Sequence, residues 1–295
     1  MRLSLSITNF TWPTGPAGLA QELQAIVEAA DGGGIDTVWV NDHLLQAEPG
    51  TSRDEPMLEA YTTLGFLASA SRRVRLGTMV TGVTFRPVAL LVKAVTTVDV
   101  LSGGRAWLGI GAGYREDEAR AMGLPLPPTA ERFELLADTV LLARRMWSGD
   151  ASLFQGRRTR LEEPIGSPLP LTRGPTDRPG LPILIGGIGE KRTLRLVAEH
   201  ADACNLFDIP DGGTTVRHKL RVLAGHCAAV GRPYEEIDKT ISVRFDPAQP
   251  VEAFAEHCSE LAELGIEHAV ALTTGAWTPP VVEAYAAAGR VLATR

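Results

Sequence analysis

Residues 96–114 read TTVDVLSGGRAWLGIGAGY, and this stretch decides the fold. Its first part completes a helix opened by Pro87, with Leu90, Leu91, Ala94, Val95, Val98 and Leu101 at helical spacing on one face. Gly103 and Gly104 stop that helix. The apolar run AWLGI (106–110) then reads as a strand, and Gly111, Ala112, Gly113 and Tyr114 lie just beyond its end. The unit is therefore a helix, a glycine stop, a buried strand and a glycine-rich loop.

The same unit recurs on both sides. Upstream, the strands are RLSLSI (2–7), IDTVWV (35–40) and VRLGTMV (74–80). Helical patterns over about 18–30 and 57–71 separate them, the first ended by Asp31 and Gly32–Gly34. Downstream, the strands are PILIGG (182–187), DACNLF (202–207), TISVRF (240–245) and HAVAL (268–272). Helices are predicted over 190–199, 214–230, 251–264 and 279–293, and a short helix after Tyr114 precedes a longer one over 130–147. Strict alternation implies parallel strands joined by right-handed crossovers. Eight evenly spaced units close into a barrel more naturally than they form a doubly wound open sheet. The expected fold is thus an α/β (β/α)8 TIM barrel, one domain over residues 1–295. Residues 149–181, rich in Arg, Gly and Pro, break the rhythm between strands four and five and read as an insertion with a short hairpin. A lid over the barrel rim and a surface excursion are both open for it.

The bulk numbers agree with one large globular unit: 295 residues, 44% hydrophobic and 22% charged. A dispersed net charge of −6 without a basic stripe argues against nucleic acid as a partner. Cys204, Cys227 and Cys258 lack metal-like spacing and read as buried thiols. No apolar run of ~18 residues suggests a membrane span, and no signal pattern opens the chain. The expectation is a soluble, cytoplasmic protein. No HExxH, paired-cysteine or GxSxG pattern supports a metal site or a serine hydrolase.

Parallel barrels build their sites at the strand C-termini, so those loops carry the candidates. Asp42 and His43 follow the second strand. A histidine there can exchange protons near neutral pH, with an adjacent carboxylate orienting it; a structural loop pair is the alternative. Gly111, Ala112 and Gly113 offer amides that a ligand can approach, although turn geometry alone explains such a triplet. Gly186, Gly187 and Gly189 repeat the arrangement, and Lys191, Arg192 and Thr193 fall in the predicted first helical turn. That combination suits a phosphate. It is not a dinucleotide fingerprint, because GxGxxG fails at both loops. The end of strand three, from Gly77 to Thr84, is either a seat for a flat ring or a plain buried strand.

These stretches together resemble the luciferase-like monooxygenase superfamily, and within it the oxidoreductases that use the deazaflavin coenzyme F420. The likeness runs through TNFTWP (8–13), WVNDHL (39–44), EPMLEAYTTLGFLA (55–68), RLGTMVTGVTFRP (75–87), the opening stretch, PTAERFELL (128–136) and LPILIGG (181–187) with EKRTLRLVAEHADACNLF (190–207). It covers roughly residues 1–275. The resemblance implies a tricyclic ring in the barrel mouth, with Asp42 and His43 beside it and His43 handling a proton. It puts Met79–Val80 where many relatives hold a non-prolyl cis peptide behind the ring. It assigns Gly111, Ala112 and Gly113 to the cofactor tail, and Gly186, Gly187 and Lys191 to the phosphate side.

One departure concerns the substrate. Sugar-phosphate dehydrogenases of this branch carry an acidic glutamate directly after the strand-four loop, where this chain has Tyr114. Glucose-6-phosphate is therefore a poor fit, and Tyr114 is free to donate a proton, stack on a substrate or pack. The implied function is hydride transfer between C5 of F420 and a small organic molecule, in a homodimer. Two rivals stand beside it: a monooxygenase using reduced flavin mononucleotide (FMN) and O2, and a flavin-binding barrel without catalysis.

Overall fold

Branched and aromatic residues fill the strands, and the helices present one apolar face to them. The computed structural model describes residues 1–174 and 178–294, so residues 175–177 of the expected insertion lie outside the described residues. The strands are β1 (Arg2–Ile7), β2 (Thr37–Val40), β3 (Arg75–Thr78), β4 (Ala106–Gly111), β5 (Ile183–Gly186), β6 (Ala203–Phe207), β7 (Asp238–Arg244) and β8 (His268–Leu272). All of their pairings are parallel, in the order β3-β2-β1-β8-β7-β6-β5-β4. Leu76 opposite Ala106 and Gly77 opposite Trp107 join β3 back to β4 and close the cylinder. The fold is the expected (β/α)8 barrel, and the open sheet is ruled out.

The helices are α1 (Leu19–Gly33), α2 (Ala60–Ala70), α3 (Val88–Ser102), α4 (Glu116–Met122), α5 (Thr129–Ser148), α6 (Thr193–His200), α7 (Thr214–Val230), α8 (Val251–Glu263) and α9 (Pro279–Leu292). Two begin later than their sequence pattern suggests. The Glu59 carboxylate accepts the amides of Tyr61 and Thr62, which caps α2 at residue 60. Gly187, at φ +117°, turns the chain after β5, and α6 starts only at Thr193. Lys191 and Arg192 therefore precede the helix rather than forming its first turn.

Side chains plug the barrel interior. Trp39 and Trp107 meet there with ring centroids 5.8 Å apart, packed with Leu184, Ala203 and Val270. Glycines make this possible: a Cβ on Gly77 would sit 2.7 Å from the Trp39 ring, and one on Gly109 only 1.8 Å from the Thr78 carbonyl oxygen. The N-terminal end is sealed by a polar cluster in which buried His268 bonds the Ser4 hydroxyl, which in turn accepts the Thr37 amide. Among the described residues, the strand C-terminal end holds an open cavity.

The insertion forms the expected hairpin, with Phe154–Gln155 antiparallel to Arg160–Leu161. Beyond it the chain is tied to outer helices. Buried Asp99 of α3 accepts the amides of Leu171 and Thr172, and Arg144 of α5 donates to the carbonyls of Pro179 and Leu181. None of its described residues lines the barrel mouth.

Candidate active site

The open end holds a cavity of about 720 Å³, well within the ~300–1,000 Å³ of small-molecule sites. The cis peptide Met79–Val80 forms part of its floor. Val80 explains two of the loop glycines. Its methyl groups nest where a Cβ on Gly111 would come within 2.9 Å and one on Gly186 within 3.0 Å. These positions are glycine so that β4 and β5 can close on Val80, leaving a low floor above it. Gly82 and Gly113 also approach backbone to backbone, and Gly113 holds φ +72°. Met79, Val80, Gly111, Ala112, Gly113, Gly186 and Gly187 all line the one cavity.

His43 lines it too, from the loop after β2. Its Nδ1 lies 2.8 Å from Oε2 of Glu118 on α4. The other oxygen of that carboxylate accepts the amides of Leu44 (2.6 Å) and Leu45 (3.1 Å), so the Glu118 side chain is wholly buried yet fully engaged. Burial pushes the Glu118 carboxyl up; the His43 hydrogen bond and charge, with the two amides, more than offset this and hold it below the ordinary glutamate range. An ionised carboxylate only accepts, so Nδ1 carries the hydrogen and Nε2 is left as the nitrogen available to a ligand. The edge of the ring meets Phe85 at 6.4 Å and Tyr114 at 6.3 Å between centroids. Tyr114 is 75% exposed, so it lines the cavity as a rim residue.

Asp42 does not orient His43, contrary to the sequence expectation. Its buried carboxylate takes a two-pronged contact from Arg86 (2.5 and 2.9 Å) and a hydrogen bond from the Thr81 hydroxyl (2.7 Å). Arg86 also pairs with Glu59 and lies over the Tyr61 ring at 4.8 Å. Burial lowers the guanidinium's pKa, but the Asp42 and Glu59 carboxylates more than reverse that and hold it charged. Asp42 touches the cavity, yet its bonds run backwards, tying the loops after β2 and β3 together behind Met79–Val80. Adjacent loop residues need not face each other, and here position 43 turns to α4 and position 42 to the α2–α3 side.

Sequence reasoning missed three residues. Glu118 left only a weak signal, an acid in the first turn of a short helix, because its partner is 75 positions away. Arg132 of α5 lines the cavity and donates to the Gly113 carbonyl and the Thr129 hydroxyl, while its buried Nε has no partner among the described residues. Glu48 also lines the cavity, with its side chain only 8% exposed. It accepts the Thr8 hydroxyl at 2.9 Å, and Arg244 stays 3.9 Å away. Burial raises its carboxyl above the ordinary range. Lys191, by contrast, does not reach the mouth and lines a separate outer cleft.

The profile of the family described as luciferase-like monooxygenase matches residues 1–289. The chain belongs to that family. Among family relatives, it is 32% identical over 232 residues to an F420-dependent glucose-6-phosphate dehydrogenase of Kineococcus radiotolerans, covering 74% of this chain and 63% of that one. The chain thus spans less than two thirds of that relative's length. A structure of an F420-dependent secondary alcohol dehydrogenase in complex with an F420-acetone adduct superposes with TM-score 0.81 at 16% identity, covering 99% of this chain and 98% of the other. Monooxygenase RslO1 from Streptomyces bottropensis superposes with TM-score 0.79 at 17% identity, covering 100% and 99%. At such identities the two superpositions establish the shared barrel. Among the described residues, no helix of this luciferase-like barrel is long and apolar enough to cross a membrane, and no cluster of His, Cys, Asp or Glu could hold a metal ion.

Proposed function

We propose that this protein is an F420-dependent oxidoreductase that moves a hydride between C5 of the coenzyme and a small organic substrate. The observation that carries the reading is His43, held through Nδ1 by buried Glu118 at the edge of a cavity floored by Val80 and glycine. The sequence relative that uses F420 supports the choice of carrier. The site's own features fit such a group. The floor has no side chain above Val80 where a Cβ at residue 111 or 186 would intrude, so a planar ring can lie flat. Buried Arg132 Nε is an unused donor at the rim, suited to an anion. Gly187, at φ +117°, adds a side-chain-free approach to the backbone beside it.

Bound F420 supplies the carbon that gives or accepts the hydride. The protein's part is orientation and proton handling. In the oxidising direction His43 Nε2 takes the proton from the substrate hydroxyl, and in the reducing direction it returns it. Glu118 keeps Nδ1 protonated, which leaves Nε2 basic and supports the charge that develops on the ring. Asp42 acts from behind, holding the Met79–Val80 floor through Thr81 and Arg86. Glu48 is a second cavity carboxyl, placed to face the substrate beside Arg244. Tyr114, where sugar-phosphate dehydrogenases of this type carry an acid, favours a substrate other than a sugar phosphate. We take the enzyme to be a cytoplasmic homodimer, a state that light scattering on the purified protein measures.

Fluorescence titration with F420 and FMN side by side tests the reading. Tighter binding of F420, anaerobic turnover, and loss of turnover with retained binding in His43→Ala are expected. Tighter FMN binding with O2 consumption coupled to a flavin reductase would overturn it in favour of a monooxygenase. Binding without turnover of any alcohol or carbonyl would leave a flavin-binding barrel.

A further inference from the structure

A second cleft, of about 500 Å³, lies between α5 and α6 on the outside of the barrel. Phe133 lines both this cleft and the mouth, so one aromatic ring divides them. The cleft contains four cations, Arg157, Lys191, Arg192 and Arg195, and three acids. The acids are already engaged. Glu134 lies 3.8 Å from Arg157, Glu199 pairs with Arg195 at 2.8 Å, and Asp138 accepts the amides of residues 157, 158 and 159. Lys191 and Arg192 have no carboxylate partner among the described residues. Arg192 instead lies over the Phe133 ring, 5.6 Å from its centroid, at the divide between the two cavities. On the mouth side of the same helix, Arg132 has its unpaired Nε.

We propose that this outer cleft binds the oligoglutamate tail of coenzyme F420. The inference rests on the F420 reading above and extends it beyond the ring. The cations without a carboxylate partner among the described residues mark a line from Arg132 in the mouth, past Arg192 on Phe133 at the divide, to Lys191 in the cleft. A flexible chain of carboxylates leaving the mouth matches that line in charge and in shape. A net charge of −6 gives a polyanion no general attraction to the protein, so this local cation surplus is what would select the route. Lys191 and Arg192 are exposed, so each contact is weak and screened beyond ~8 Å at physiological salt. The tail therefore adds affinity in modest increments and takes no part in the chemistry.

The test compares F420 carrying several glutamates with the same coenzyme lacking them, each titrated by fluorescence into the whole protein. At low salt the long-tailed form is expected to bind about three- to tenfold tighter. The advantage should vanish near ~1 M salt, where screening reaches ~3 Å. The double variant Lys191→Glu/Arg192→Glu should abolish it while leaving affinity for the tail-less form unchanged. The charge-neutral Lys191→Gln/Arg192→Gln pair checks the same point with less disturbance. Equal affinity of both forms for the native protein would overturn the proposal, as would a variant that weakens both forms alike. If neither form binds, the F420 reading itself fails, a result distinct from the other two.

Discussion

Replacing Glu118 by Gln changes one atom's chemistry and nothing of its shape. The native carboxylate accepts three hydrogen bonds, from Leu44 at 2.6 Å, Leu45 at 3.1 Å and His43 Nδ1 at 2.8 Å. In Glu118→Gln the carbonyl oxygen can keep the two amides, but the amide NH2 then faces Nδ1 and can only donate. His43 must hand its hydrogen to Nε2. The variant thus exchanges a charge-assisted bond for a neutral one in a buried setting, a loss of about 1–1.5 kcal/mol, which lowers Tm by roughly 2–4 °C per kcal/mol. The pH dependence has a defined sign. Glu118 is held below the ordinary carboxylate range when folded, so its contribution is present above the unfolded pKa and lost as pH falls through the folded one. The gap between native and variant protein should be widest near neutrality and close in acid. Nitrogen-detected NMR of the imidazole reads the tautomer directly: Nδ1–H in neutral native His43, Nε2–H in the variant. An unchanged tautomer, or a stability gap that persists in acid, would refute the pairing as the device that poises His43.

Three further outcomes follow from the same geometry. Arg86→Met strands the buried Asp42 carboxylate and should cost about 3–5 kcal/mol in urea unfolding, with part of the loss recovered by adding Asp42→Asn. Gly111→Ala brings a methyl group to 2.9 Å from Val80 and should cost about 1–3 kcal/mol; the penalty should shrink in a Val80→Ala background, which a double-mutant cycle measures. Burial raises the Glu48 carboxyl, so its contribution is intact at low pH and erodes as pH rises through the folded pKa. Glu48→Gln should therefore be more stable than native protein near neutrality and equal to it near pH ~4, by urea unfolding at both.

The alignment of His43 with α4 rather than with its neighbour shows how a site can be half legible. The types of residue at the strand ends were readable, because loops after parallel strands are the rim of any such barrel. Which of them face one another was not. His43 and Glu118 are 75 positions apart and meet because α4 packs its Glu118 against the loop after β2. The glycines of the two loops also held more than one meaning. As sequence, Gly111 and Gly186 read as places for a ligand to approach. In three dimensions they first admit Val80, and the ligand floor is what remains above it. For the insertion, the sequence allows both a lid and an excursion, and contacts from Asp99 and Arg144 tie its described residues to the outer helices.

Sequence alone determined the barrel, because the repeat of apolar strand, glycine stop and amphipathic helix is local and survives in one dimension. It also singled out the strand ends, and the structure brings Met79–Val80 and the two glycine loops to the lining of one cavity there. The tertiary structure alone decided the partners: Glu118 for His43, Arg86 for Asp42, and an outer cleft rather than the mouth for Lys191. A side chain's partner depends on how distant segments pack, and no spacing along the chain records that.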